Sequence, residues 1–309
     1  MKYQATGYCL DDDPKKSFGV SADIDAKLFE GVERAKNTCL LALGLEEKFQ
    51  LVIDNYAEWE IELLTTAQRY ALWPTNRFDF TQTRIQLARR LTNVLTGFRL
   101  YADQTDHALS KIFGNPSDEL KRAKEFKNNL YDSYFGYRFL ETLRNHVQHC
   151  DLPIETISYD QKPISEKSIM HSYCVIIPTA SLVTLSENDE FKKGIIEELQ
   201  SGPETIDLRP YIREYISCMT QLHKEIGRIF SPTFDKSRSD YEKIVKTYSS
   251  HGDKNIQLPR FIMMDDTEKK VKTIELYQGF LAIYDSLKER NANVGNVTKS
   301  FASNIITIK

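Results

Sequence analysis

Residues 81–119 read TQTRIQLARRLTNVLTGFRLYADQTDHALSKIFGNPSDE. Ala88, Leu91, Leu95, Phe98, Ala102, Leu109 and Ile112 recur at gaps of mostly three, four or seven, the period of one helix face. The spacing predicts a helix from Thr81 to Phe113, roughly 50 Å long at about 1.5 Å per residue. Only Gly97 weakens it, by about 1 kcal/mol relative to alanine. At Gly114-Asn115-Pro116-Ser117-Asp118-Glu119 a helix stop meets a helix start: glycine past the last turn, Asn115 as N-cap, Pro116 at the first helical position, acids in the first turn. A tight antiparallel helix pair follows. Its second member is expected to run from Pro116 to about Cys150, ending before Leu152-Pro153 because the residue preceding proline is pushed out of the α region.

Outward from this pair, helical spacing continues. Residues 24–43 and 46–72 read as two helices, the second stopping at Trp73-Pro74. Toward the C-terminus, Ile212, Tyr215, Ile216, Met219, Leu222, Ile226 and Ile229 form a stripe that predicts a helix over 208–230, resuming over 235–248. Between them residues 169–185, rich in β-formers and broken at Pro178, predict a small hairpin. The last 55 or so residues predict a hairpin from Phe261 to Ile274 turning near Asp266-Thr267, a helix near 275–289 and a strand over Asn304–Ile308.

The chain has 309 residues, about two ordinary domains or one large one, with composition ordinary for a globular protein. Five cysteines (Cys9, Cys39, Cys150, Cys174, Cys218) without a C-x-x-C pair read as scattered thiols in a reducing compartment. With no signal-peptide plan and no window of 18 uninterrupted apolar residues, the expectation is a cytoplasmic protein that makes no use of a membrane. The net charge of −3 excludes a uniformly basic nucleic-acid binder. Its distribution is uneven: residues 1–83 hold 9 basic and 14 acidic groups, residues 84–144 hold 11 and 7, and residues 145–309 hold 21 and 23. The excess positive charge sits on the central helix pair, where Arg84, Arg89, Arg99, Lys121, Lys127 and Arg138 are among ten cations that form either a local anion-binding surface or a solvated helix face.

The chemistry concentrates at the end of that pair. With Leu143 at 0° and 100° per residue, Gly136, Phe139, Leu140, Val147 and Cys150 lie within about 60° and form a buried stripe. Arg138, Glu141, Thr142, Arg144, Asn145, Gln148 and His149 lie opposite, and His146 sits on the flank. A merely solvated face would usually carry Lys and Glu; this one carries residues that make directed hydrogen bonds. Arginine beside a titratable histidine suits phosphodiester cleavage without a metal or other cofactor. The imidazole takes the proton of a ribose 2′-hydroxyl or gives one to the leaving 5′-oxygen, and the guanidinium stabilises the extra charge on the pentacoordinate phosphate. Arg144 and His149 are about 140° apart on the wheel, so they line one groove or face it from two copies of the helix about a two-fold axis. The same residues also fit a helix end held by capping side chains.

The stretch Tyr137 to Pro153, with Arg144-Asn145-x-x-x-His149 closing a long helix of an α-hairpin, resembles the signature of the HEPN superfamily of helical ribonucleases, in particular bacterial HEPN-like proteins in which R-N-x-x-Q-H is followed closely by proline. The likeness covers about residues 46–155, and the helix at 208–230 fits it as well. It implies a metal-independent endoribonuclease working as a homodimer with its two motif helices face to face, Arg144 and His149 catalytic and Asn145 orienting the site. It further implies a toxin or defence effector, with a neutralising protein partner; family members that lost activity only bind RNA. The fold expected is mainly α: a HEPN-like up-and-down bundle over 18–250 with a β insertion at about 154–186, then a mixed α/β extension over 251–309.

Further candidates surround the motif. Arg138, Gln148, Asp103 and Tyr134 are candidate substrate-binding residues; Asp103 lies on the preceding helix with Asp106 and His107, and Tyr134 points to the polar side of the wheel, where it could stack on a base. The Asp103–His107 spacing equally fits a surface pair. His146 reads as a flank residue, and Tyr131, Phe135 and Tyr137 as core. Glu58, Glu60 and Glu62 do not converge on a helix. No dinucleotide, P-loop, G-x-S-x-G or H-E-x-x-H string occurs. Two other readings remain open: a noncatalytic helical interaction protein in which Arg144 and His149 hold the helix end and dimer together, and an RNA-binding module using the same groove without cleavage.

Overall fold

A computed structural model describes residues 1–9, 18–73, 76–149, 152–154, 156–166, 168–180, 193–251, 254–277 and 279–300. The protein is mainly helical with small antiparallel sheets. In chain order the elements are β1 (Lys2–Cys9), β2 (Phe18–Asp23), α1 (Ala26–Leu72), α2 (Arg77–Phe113), α3 (Asp118–Ser133), α4 (Phe135–His149), β3 (Thr156–Ser165), β4 (Ser168–Pro178), α5 (Lys193–Gln200), β5 (Thr205–Asp207), α6 (Leu208–Tyr248), β6 (Ser250–His251), β7 (Lys254–Met264), β8 (Lys270–Glu275) and α7 (Phe280–Ala292). They divide into two compact units, Met1–Glu47 with Gly227–Ala292, and Lys48–Ile226 with Asn293–Lys309.

In the first unit the strand order is β2-β1-β7-β6, with β8 also on β7 and every pair antiparallel. Ala5 lies opposite Phe261 on β7 and opposite Ala22 on β2. The first strand of the hairpin anticipated near the C-terminus, β7, therefore pairs with the N-terminal β1, and residues 251–292 fall in this unit. Its core includes Phe29, Val32, Phe234, Tyr241, Phe261 and Phe280. Pro232 sits inside α6, where the sequence predicts an interruption at 231–234. An interior proline costs a helix about 3 kcal/mol; here the buried Phe230, Phe234 and Tyr241 on either side of it hold the helix continuous. The turn at 265–269 and the hairpin it joins agree with the expectation, whereas the strand expected over 304–308 lies outside the described residues.

The second unit holds α1 from Lys48, α2, α3, α4, α5, α6 as far as Ile226, and a three-stranded sheet of order β3-β4-β5. Its core is aromatic and aliphatic: Phe49, Trp59, Leu91, Leu95, Phe98 and Tyr215 are essentially inaccessible. Phe98 stacks on Tyr215, and His223 stacks on Phe49 while its Nδ1 lies 2.8 Å from the Tyr101 hydroxyl. The hairpin is β3–β4, with Ile157 opposite Val175, so residues 169–178 form one strand of it and not both. The two helices expected over 24–43 and 46–72 are one, α1 from Ala26, because buried Leu43, Leu45 and Phe49 carry the apolar stripe past Gly44.

The expected Pro116–Cys150 helix is two. Ser117, not Asn115, caps α3, its Oγ accepting from the Leu120 N–H at 3.2 Å. Tyr134 then takes an extended conformation and α4 starts anew. The break has a tertiary cause: Glu214 on α6 accepts from the Gly136 N–H at 2.6 Å, and a Cβ on Gly136 would lie 2.5 Å from that carboxylate oxygen and 3.0 Å from the Tyr211 carbonyl oxygen. Only glycine lets α6 come this close.

Candidate functional site

Helices α2, α3 and α4 enclose a cleft of about 470 Å³ in the second unit. Arg99 reaches it from α2, Lys127 and Asn128 from α3, and Glu141, Arg144 and Asn145 from α4, with Tyr131 and Tyr137 on its wall. The buried stripe of α4 fixes this arrangement. Phe139, Leu140 and Leu143 are fully packed, which turns Glu141, Arg144 and Asn145 toward the cleft.

Three cations and one carboxylate line the site, and they are held differently. Arg99 donates from Nε to Asp103 at 2.8 Å and its Nη1 lies 3.6 Å from Glu141. Burial opposes the Arg99 cation, but Asp103 and then Glu141 outweigh it and hold its pKa above the ordinary guanidinium value. Lys127 donates to Asp106 at 2.6 Å. Glu141 accepts from the Tyr215 hydroxyl at 2.5 Å. Arg144 differs from the other two cations. Its Nη2 donates to Asn145 Oδ1 at 2.6 Å, its Nε is buried without a hydrogen-bond partner, and it has no carboxylate partner among the described residues. A buried charged donor left unsatisfied is costly, so an anion that accepts from this guanidinium is favoured. Burial and then Glu141 push the phenols of Tyr137, on the cleft wall, and Tyr215 well above their ordinary value, so both stay neutral.

Arg144 and Asn145 are thus brought together at the cleft. Gln148 is exposed on the same helix, and His149 closes that helix, its side chain lying outside the described residues. Asp103 does not line the cleft but holds Arg99, which does. Arg138 and Tyr134 do not line the cleft. Arg138 donates from Nη1 to the carbonyls of Tyr131 and Asp132, which the end of α3 leaves without helical partners, and from Nη2 to both carboxylate oxygens of Glu198 at 2.9 Å, so it clamps the α3–α4 break. Tyr134 is the residue of the break itself. Thr142, placed on the polar side by the helical wheel, is buried and donates to the Arg138 carbonyl, and the flank residue His146 is buried. Asn128 was not anticipated; it follows Lys127 on α3, and only the packing of α3 against α4 assigns it to the cleft.

Among the described residues no group of three or more His, Cys, Asp or Glu side chains is arranged to hold a metal ion, and no helix is long and apolar enough to cross a membrane. No family model matches the chain, and neither the curated proteins nor the solved structures contain a match to it.

Proposed function

We propose that the protein is a metal-independent endoribonuclease of HEPN type, with α2, α3 and α4 as part of an up-and-down bundle of that kind. The observation that carries the reading is Arg144: an arginine at the cleft with no carboxylate partner among the described residues, steadied by the adjacent Asn145, on the helix that His149 closes. In the reaction the 2′-oxygen attacks phosphorus and its proton passes to a base. The P–O5′ bond breaks, and the 5′-oxygen takes a proton from an acid. The products are a 2′,3′-cyclic phosphate and a 5′-hydroxyl. His149 supplies base and acid, its partner role being filled by the second copy of the helix in a homodimer. Arg144 carries the charge of the pentacoordinate phosphate, and Asn145 fixes the guanidinium plane. Gln148, exposed one turn beyond Arg144, contacts the same RNA strand. The reading takes the enzyme as cytoplasmic, a toxin or defence effector restrained by a neutralising protein.

The test is incubation with mixed RNA in EDTA, scored for cleavage and for 2′,3′-cyclic phosphate ends. Arg144→Ala and His149→Ala are each expected to abolish cleavage. Full activity in either variant overturns the assignment. RNA binding that falls with salt, without cleavage in the wild type, would leave a binding module in its place.

A further inference from the structure

Where α1 ends and α2 begins, large apolar side chains are exposed among the described residues. Leu72 and Trp73 close α1 and are each 61% exposed, and Phe78 in the first turn of α2 is 67% exposed. The surrounding charge is one-sided. From Leu63 to Ala102 the chain carries Arg69, Arg77, Arg84, Arg89, Arg90 and Arg99 against a single acid, Asp79, whose carboxylate is occupied by the Asn76 backbone N–H at 3.0 Å. Arg84 is spent on the Ile154 carbonyl and Arg90 on Glu58, but the exposed Arg69 and Arg89 have no partner among the described residues.

These groups continue along one face of α2. Phe78, Gln82, Ile85, Arg89, Asn93 and Thr96 are all exposed and follow one another at gaps of three or four, leading to Arg99 at the cleft. Phe78 and Arg99 are 21 positions apart, about 30 Å along the helix. The geometry points to this stripe, from the Trp73–Phe78 tip along α2 to the cleft, as a track for single-stranded RNA, with Trp73 and Phe78 stacking on bases and Arg69 and Arg89 meeting phosphates. The inference rests on the reading that the cleft acts on RNA, and it names the substrate form: an unpaired strand long enough to span cleft and tip.

Charge complementarity selects the occupant. A run of six arginines with one acid, Asp79, matches a polyphosphate, and arginine's planar fork suits phosphate oxygens. Two exposed aromatic rings at the tip, followed along the stripe by Gln82, Asn93 and Thr96, match bases that offer both a π-face and a hydrogen-bonding edge. A bilayer would have to strip water from those same amide and hydroxyl groups without replacing their hydrogen bonds. A second copy docked tip to tip would cover on the order of 400 Å² of apolar side chain per partner, about half of what a stable interface needs.

The probe is 2′-O-methyl RNA, which lacks the attacking hydroxyl and reads binding apart from cleavage. Strands of about four and about sixteen nucleotides bracket the span. Trp73→Ser with Phe78→Ser is expected to weaken the longer strand by about tenfold or more and leave the shorter unchanged. Arg69→Gln with Arg89→Gln is expected to lower the salt dependence by about 0.7 per arginine. Trp59 is fully buried, so fluorescence quenching by the longer strand reports Trp73. Unchanged affinity in both double variants overturns the track. So does a blue shift on phosphatidylserine vesicles with no quenching by RNA. Tip-dependent binding without any cleavage sinks the ribonuclease reading and keeps the track, whereas unimpaired cleavage and binding in the tip variants do the reverse.

Discussion

Arg144 donates from Nη2 to Asn145 Oδ1 at 2.6 Å, an interaction between sequence neighbours that swings the guanidinium along the rim of the cleft while its Nε stays buried and unpaired. On the proposed ribonuclease reading Asn145 is a positioning residue, and two replacements of it should differ. Asn145→Ala frees the guanidinium and is expected to lower kcat by about 10-fold or more with KM little changed. Asn145→Asp puts a carboxylate where the amide oxygen was and neutralises Arg144, so both kcat and affinity for RNA should fall. Steady-state cleavage of a short labelled RNA separates the two. Equal loss in both variants, confined to KM, would remove the positioning role.

Gly136 predicts a stability effect independent of any activity. Its added Cβ would press on Glu214 and on the Tyr211 carbonyl, of which only the carboxylate end can yield. Gly136→Ala is expected to destabilise by about 1–3 kcal/mol. Gly194 in α5 has nothing within 4 Å of its Cβ position, and Gly194→Ala should stabilise by up to about 1 kcal/mol through helix propensity. Urea unfolding midpoints at unchanged m-value decide both.

The same contact explains which parts of the fold were legible. Helix α2 could be read because its stripe of Leu91, Leu95 and Phe98 is a property of one segment. The α3–α4 break could not, because it depends on Glu214, 78 residues away. Strand β1 escaped because its inward positions Ala5 and Gly7 are too small to register as an apolar alternation, and β2 because its residues 19–23 are exposed or half-buried. At the site, Arg138 and Arg144 look alike on a helical wheel. What separates them is the pair of carbonyls freed at the break, which captures Arg138 and leaves Arg144 available.

Alkaline pH should expose the buried phenols. Burial raises Tyr137 and Tyr215 above the ordinary tyrosine value, as it does Tyr241 and Tyr284. Above about pH 10 the unfolded chain releases these protons while the folded one keeps them, so the native state binds more protons and stability falls as pH rises. Their contribution is fully present below pH 10 and is lost at up to about 1.4 kcal/mol per pH unit for each such group. Phenolate absorbance from these residues is expected only together with unfolding. Cys39 and Cys218, pushed up to about 12 by burial, should likewise resist thiol reagents until denaturant is added. Phenolate signal or labelling in the folded protein would contradict this.

The pair Arg213–Glu60 joins α6 to α1 within the second unit, with Nε to Oε1 at 2.8 Å and Nη2 to Oε2 at 3.0 Å, and both side chains are less than 15% exposed. Tyr56 also donates to Glu60, so removing the carboxylate's charge would leave a buried guanidinium with a weaker acceptor. Glu60→Gln is expected to cost about 3 kcal/mol, because breaking one side of a buried pair strands the other charge. Replacing both with apolar residues, Glu60→Leu with Arg213→Met, removes the two desolvation penalties along with the attraction and should cost clearly less than the single change. Chemical denaturation of the three variants is the measurement. If the double variant is less stable than Glu60→Gln, the pair contributes net stability and not only a fixed geometry between the helices.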